Sequence, residues 1–64
     1  MAVFVWRYLD ASGAETGTSD PFEDREAAEA WLGETWAELL DRGVEEVALT
    51  DGERTLYRMG LRED

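Results

Sequence analysis

Apolar positions along the 64-residue chain change period several times, and each change marks an element. Residues 3–9 alternate two apolar sets: Phe4, Trp6 and Tyr8 on one face, and Val3, Val5, Arg7 and Leu9 on the other. Aromatic and β-branched residues in alternation predict a strand. Arg7 belongs in water, so the aromatic face is assigned to the core. A strand apolar on both faces is expected in the middle of a sheet. Asp10, Ala11, Ser12 and Gly13 supply turn residues, and residues 15–19 read as a short edge strand that ends before Pro21.

The pattern then shifts to spacings of three and four. Ala28, Trp31, Leu32, Trp36, Leu39 and Leu40 form one helical stripe. Asp24 is placed to cap this helix, with Glu26 in the first turn; an earlier start has Asp20 as cap and Pro21 at the first position. Gly43 suits the left-handed residue that commonly ends a helix, and Arg42 complements the dipole there. Arg25 with Glu29, and Glu38 with Arg42, are i,i+4 pairs that support the helix.

Residues 44–50 and 54–61 predict a second hairpin around Asp51-Gly52. A two-residue loop at Asp51-Gly52 would turn Val47 and Leu49 to the side of Arg54, Leu56 and Arg58. The apolar pattern instead wants Val47 and Leu49 beside Tyr57, Met59 and Leu61. Slipping one residue inverts a whole strand, and burying two arginines costs more than a bulge. A three-residue loop, Asp51-Gly52-Glu53, or a bulge beside it is therefore expected.

The order strand, strand, helix, strand, strand predicts a single α+β domain over residues 1–64: a four-stranded sheet with one helix on one face. This layout resembles the β-grasp arrangement of the small immunoglobulin-binding domains of streptococcal surface proteins. The resemblance implies the strand order 2-1-4-3, with the first and last strands side by side. It rests on element order and length, so no binding residue carries over. The stretches Val5-Trp6-Arg7-Tyr8-Leu9-Asp10 and Arg25-Glu26-Ala27-Ala28-Glu29-Ala30-Trp31-Leu32 are similar to small uncharacterised acidic proteins of high-GC actinobacteria, which imply no particular activity.

Charge narrows the choice of partner. The net charge is −10, which opposes direct contact with nucleic-acid backbones and with anionic membrane surfaces and favours basic partners. Residues 20–46 hold ten acids and two arginines, or −8, while the rest of the chain contributes −2. Lys, Ile, Asn, Gln, His and Cys are all absent. The lack of Cys fits a cytoplasmic setting. No run is long and apolar enough to span a membrane, and residues 1–8 lack the build of a secretory signal.

Catalytic chemistry finds little to work with. Ser12 and Ser19 have no His to activate them and there is no Lys for a Schiff base, so no catalytic residue is assigned and the chain is not expected to be an enzyme. Asp51-Gly52-Glu53 is too short for a calcium loop, and residues 16–20 lack the glycines and Lys of a phosphate cradle. No metal or cofactor is expected. Trp6 and Trp31 belong to the core, whereas Trp36, nearer the edge of the stripe, is a candidate binding anchor.

Two binding surfaces follow. By parity Arg54, Leu56, Arg58 and Arg62 share a face of the last strand, and Arg7, Val3 and Val5 join it if the first and last strands are neighbours. Arg7, Val5, Leu56 and Arg58 would then make an open sheet face that takes a protein partner or a second copy as a homodimer. The alternative is an acidic helix face, Glu26, Glu29, Glu34 and Glu38, mimicking nucleic acid against a basic protein surface.

Overall fold

The computed structural model describes residues 3–61, so Arg62 lies outside the described residues. The chain forms β1 (Phe4–Leu9), β2 (Glu15–Thr18), α1 (Arg25–Asp41), β3 (Glu46–Asp51) and β4 (Arg54–Gly60). One helix lies on one face of an open, four-stranded antiparallel sheet, an α+β architecture.

Local chemistry sets both ends of α1. The Asp24 carboxylate accepts the Ala27 backbone N–H at 2.7 Å, which satisfies one of the orphan donors of the first turn. The start at Asp20 is not adopted; the following Phe22 instead pairs its backbone with Phe4. At the far end the Val44 N–H donates to Leu39 O at 3.0 Å and the Gly43 N–H to Leu40 O at 3.0 Å, a Schellman motif around Gly43 at φ 91°.

The strand order is β2-β1-β3-β4, which corrects the expected 2-1-4-3. β1 is central, but its second neighbour is β3, antiparallel, with Trp6 opposite Leu49 and Arg7 opposite Ala48. The β-grasp expectation of adjacent first and last strands is not met. Side-chain size explains the exchange. A central strand must be buried on both faces, and Val47, Ala48, Leu49 and Thr50 are all buried. β4 carries Arg54 and Arg58 and is exposed except at Tyr57, so it belongs on an edge.

The β3–β4 hairpin contains the expected bulge. Gly52 and Glu53 form a two-residue loop, Gly52 at φ 64°, and Thr50 pairs with Thr55. The register then shifts, leaving Leu56 as the extra residue, and Leu49 pairs with Tyr57. Val47, Leu49, Tyr57 and Met59 thereby share the helix-facing side. The bulge also corrects the parity of the last strand. Arg54 pairs with Asp51, itself opposite Phe4, so it falls on the opposite side from Arg58.

Trp6, Ala28, Leu32, Leu39, Val44, Val47, Leu49 and Leu61 make the buried core. Trp6 is 0% exposed, and its indole N–H donates to the Ala28 carbonyl at 2.8 Å, pinning β1 under the helix. The helix backbone comes closest to β1 and not to the β4 edge. One helix, about 10–12 Å across with its side chains, cannot cover four strands spaced nearly 5 Å apart. The uncovered ground lies beside β4.

Candidate functional site

The offset between helix and sheet leaves an open groove of about 420 Å³ between α1 and β4. Its helix wall is Glu29, Leu32, Gly33 and Trp36; its sheet wall is Tyr57, Met59, Gly60 and Leu61, with Trp6 in the floor. Helical periodicity explains the first set, since residues 29, 32, 33 and 36 recur on one flank. The bulge at Leu56 explains the second, because it turns Tyr57 and Met59 toward the helix. Trp36 is 45% exposed and Met59 41%. Both are large side chains half in water on opposite walls of one depression.

A polar cluster holds the head of the groove. The Tyr57 hydroxyl donates to Glu29 Oε2 at 2.7 Å and Arg25 Nε donates to the same oxygen at 3.0 Å. The Arg25 guanidinium also lies 5.3 Å from the Tyr57 ring centroid, within range of a cation–π contact. Beneath it the Tyr57 ring meets Trp6 edge-on at 5.9 Å. The hydrogen bond from Tyr57, then that from Arg25, holds the Glu29 carboxyl below its ordinary titration range. Burial, then the bond to Glu29, pushes the Tyr57 hydroxyl up. Both shifts favour the same pair of states, a charged acceptor and a neutral donor.

The open sheet face carries the other candidate residues. Arg7 and Arg58 flank Ala48 in one cross-strand row although β1 and β4 are not neighbours. Val5 is half-buried there and Val3 exposed; Leu56 is exposed too, but as the extra residue of the bulge it has no cross-strand partner that ranks it with this face. Each arginine already has a carboxylate partner within the face. Arg7 lies 3.5 Å from Glu15, and Arg58 donates from Nε and Nη2 to Glu46 Oε1, the Nε bond at 2.9 Å. Thr50 at the centre of the face donates its hydroxyl to Val5 O at 2.9 Å and is buried.

Glu26, Glu29, Glu34 and Glu38 are all exposed. Glu29 and Glu38 are nine residues apart, about half a revolution at 3.6 residues per turn, so they lie on opposite flanks of α1. Glu38 is paired with Arg42 at 3.3 Å. The four carboxylates are thus spread around the helix instead of aligned in one row.

The sequence points to Trp36 as a partly exposed residue, and the structure places it on the groove wall. Met59, Tyr57, Gly33 and Gly60 were not foreseen as neighbours of Trp36. The available signals were a glycine inside a helix and another inside a strand, neither of which announces its partner across the fold. Among the described residues no helix is long and apolar enough to cross a membrane.

The class defined by this architecture is a small α+β domain with an incompletely covered sheet. No family model, no curated protein and no solved structure matches the chain.

Proposed function

We propose that this chain is a small, non-catalytic protein-interaction module whose binding site is the groove between α1 and β4, with Trp36 as its anchor. The observation that carries the reading is the pairing of half-exposed Trp36 and Met59 across an apolar depression of about 420 Å³. That volume falls within the range of ligand-binding clefts, and Trp is the residue type most enriched at energetic centres of interfaces. An exposed apolar patch of this kind is stabilised when a partner covers it. Glu29 and Tyr57 add one charged acceptor and fixed geometry at its head.

The open sheet face is the second reading, supported by exposed Val3 and half-buried Val5 on the face of Arg7 and Arg58, and it accommodates either a partner or a second copy. It ranks lower because both arginines already have carboxylate partners, and a new partner must compete with Glu15 and Glu46.

Affinity capture from a lysate with three baits separates the readings: wild type, Trp36→Ala, and Arg7→Gln with Arg58→Gln. Circular dichroism confirms that each bait is folded. The groove reading expects one set of captured proteins to disappear with Trp36→Ala and to survive the double arginine change. The reverse pattern transfers the function to the open sheet face.

A further inference from the structure

Two glycines answer no steric demand within the described residues. Of the six glycines, Gly13, Gly43 and Gly52 hold positive φ in turns, and Gly17 lies under the Tyr8 ring, where an added Cβ would stand 3.3 Å from Cδ2. Gly33 and Gly60 have ordinary φ, and an added Cβ at either meets nothing within 4 Å. A helix-interior glycine costs about 1 kcal/mol relative to alanine, and a strand glycine weakens its strand. Gly60 shares the open-face parity of Arg58, but Gly33 lines the helix wall of the groove, and its missing side chain leaves that wall open. Space kept free there is space for something that approaches the helix backbone closely.

The neighbouring backbone indicates what that is. β4 pairs with β3 alone, and among the described residues its outer edge has no partner along all seven residues, Arg54–Gly60. The other edge strand, β2, has four residues. An unpaired edge presents a row of backbone donors and acceptors ready to accept another strand. Groove and free edge share Tyr57, Met59 and Gly60. A strand laid along β4 would send alternate side chains into the groove, where Trp36 and Leu32 wait.

Charge completes the description. Glu29 accepts both of its hydrogen bonds on Oε2, leaving Oε1 without a bond among the described residues. The helix that forms this wall is acidic overall, with Glu26, Glu34, Glu38 and Asp41 besides Glu29 against Arg25 alone, so its field adds to that of Glu29. An occupant with a cationic side chain beside its apolar ones is matched to both features.

Resting on the groove reading above, we infer that the module captures an extended peptide segment of a partner protein by strand addition to β4. The segment places alternate apolar side chains in the groove and a Lys or Arg on Glu29 Oε1. Backbone pairing supplies affinity and the groove supplies side-chain selectivity.

The test is selection of a displayed library of random linear peptides on the full chain, followed by ¹⁵N NMR of the chain with the peptide recovered. Expected are peptides with alternating apolar residues and at least one Lys or Arg. Shifts should fall on the β4 amides, on Gly33 and on the Trp36 indole, with new exchange protection along β4. Glu29→Gln should weaken binding about tenfold, the usual size of a charge-assisted hydrogen bond. Gly33→Leu should abolish binding while the fold, read by circular dichroism, is kept. Shifts confined to the groove with unprotected β4 amides would overturn strand addition and leave the groove reading intact. Peptides insensitive to Trp36→Ala, or no peptides at all, would overturn both. Concentration-dependent protection of β4 without any peptide would make a second copy the occupant and refute the partner segment.

Discussion

The Tyr57 hydroxyl donates to Glu29 Oε2 over 2.7 Å, joining the edge strand β4 to α1 at the head of the groove. The Arg25 guanidinium over the Tyr57 ring is a second polar link between the same two elements. The hydrogen bond should also respond to pH at both extremes, since it favours a charged Glu29 and a neutral Tyr57.

At the acid end the expectation follows from Glu29, whose folded carboxyl titrates below its ordinary value of 4.5 because of Tyr57 first and Arg25 second. A depressed folded value means that the stabilisation is complete above the unfolded value and is lost as pH falls through the folded one. Urea denaturation of wild type and Glu29→Gln should show a stability gap at pH 7 that closes as the pH drops below about 4.5. In Tyr57→Phe the Glu29 carboxyl, followed by NMR, should titrate higher than in wild type, with Arg25 still holding part of the shift. A wild-type gap that widens in acid would refute the arrangement. At the alkaline end Tyr57 is raised above 10.0, so its contribution persists below that pH and fades as pH climbs through the raised value.

Trp6 is the costliest side chain to shorten. Trp6→Phe removes the bond to the Ala28 carbonyl and opens a void between β1 and α1. Cavity and lost hydrogen bond together should cost about 2–4 kcal/mol. A chain of this length has about 3–10 kcal/mol in all at typical stability per residue. Thermal melts should therefore show Trp6→Phe with a clearly lower Tm than wild type, and Trp6→Ala, at about 3–5 kcal/mol, lower still.

The N-cap of α1 is a smaller and separable contribution. Asp24→Ala removes the acceptor of the Ala27 N–H and should cost about 1 kcal/mol. For a domain of this size that is a drop of roughly 4–8 °C in Tm. Asp24→Ser, which keeps an acceptor, should recover most of it; equal losses for Ala and Ser would show that the cap is not what stabilises this end.

Two glycine substitutions should act in opposite directions. Gly33→Ala meets open space and should stabilise by about 1 kcal/mol through helix propensity. Gly17→Val drives a side chain into the Tyr8 ring, 3.3 Å from the Cβ position, and should destabilise by about 1–3 kcal/mol. Calorimetry of the pair decides it. A destabilising Gly33→Ala would mean that the glycine serves the fold itself, removing the argument that its space belongs to a partner.

Much of this architecture is written in short-range chemistry. Asp24, the spacing of Ala28, Leu32 and Leu39, and Gly43 define α1 without reference to anything distant, because caps and helical faces are set within a few residues. The bulge in the second hairpin was legible for the same reason. Alternation in residues 54–61 conflicts with that of the preceding strand unless one residue is left over, in a three-residue loop or a bulge, and the structure takes the bulge. The inward face of β1 followed from Arg7.

Strand order was not decided at that range. Each hairpin is local, but which strand of the second lies against β1 depends on which can be buried on both faces, and there compact Ala48 and Thr50 outweighed the resemblance of layout. The groove lies further still from the sequence. Trp36, Gly33, Tyr57, Met59 and Gly60 become one site only because the helix sits nearest β1 and leaves the β4 side uncovered. The sequence by itself determined the elements and the inward faces of β1 and α1, since periodicity and capping act over a few residues, while the facing of Arg54 waited on where the bulge fell. Tertiary structure decided the neighbours, because packing one helix on four strands leaves a gap whose position no single segment encodes.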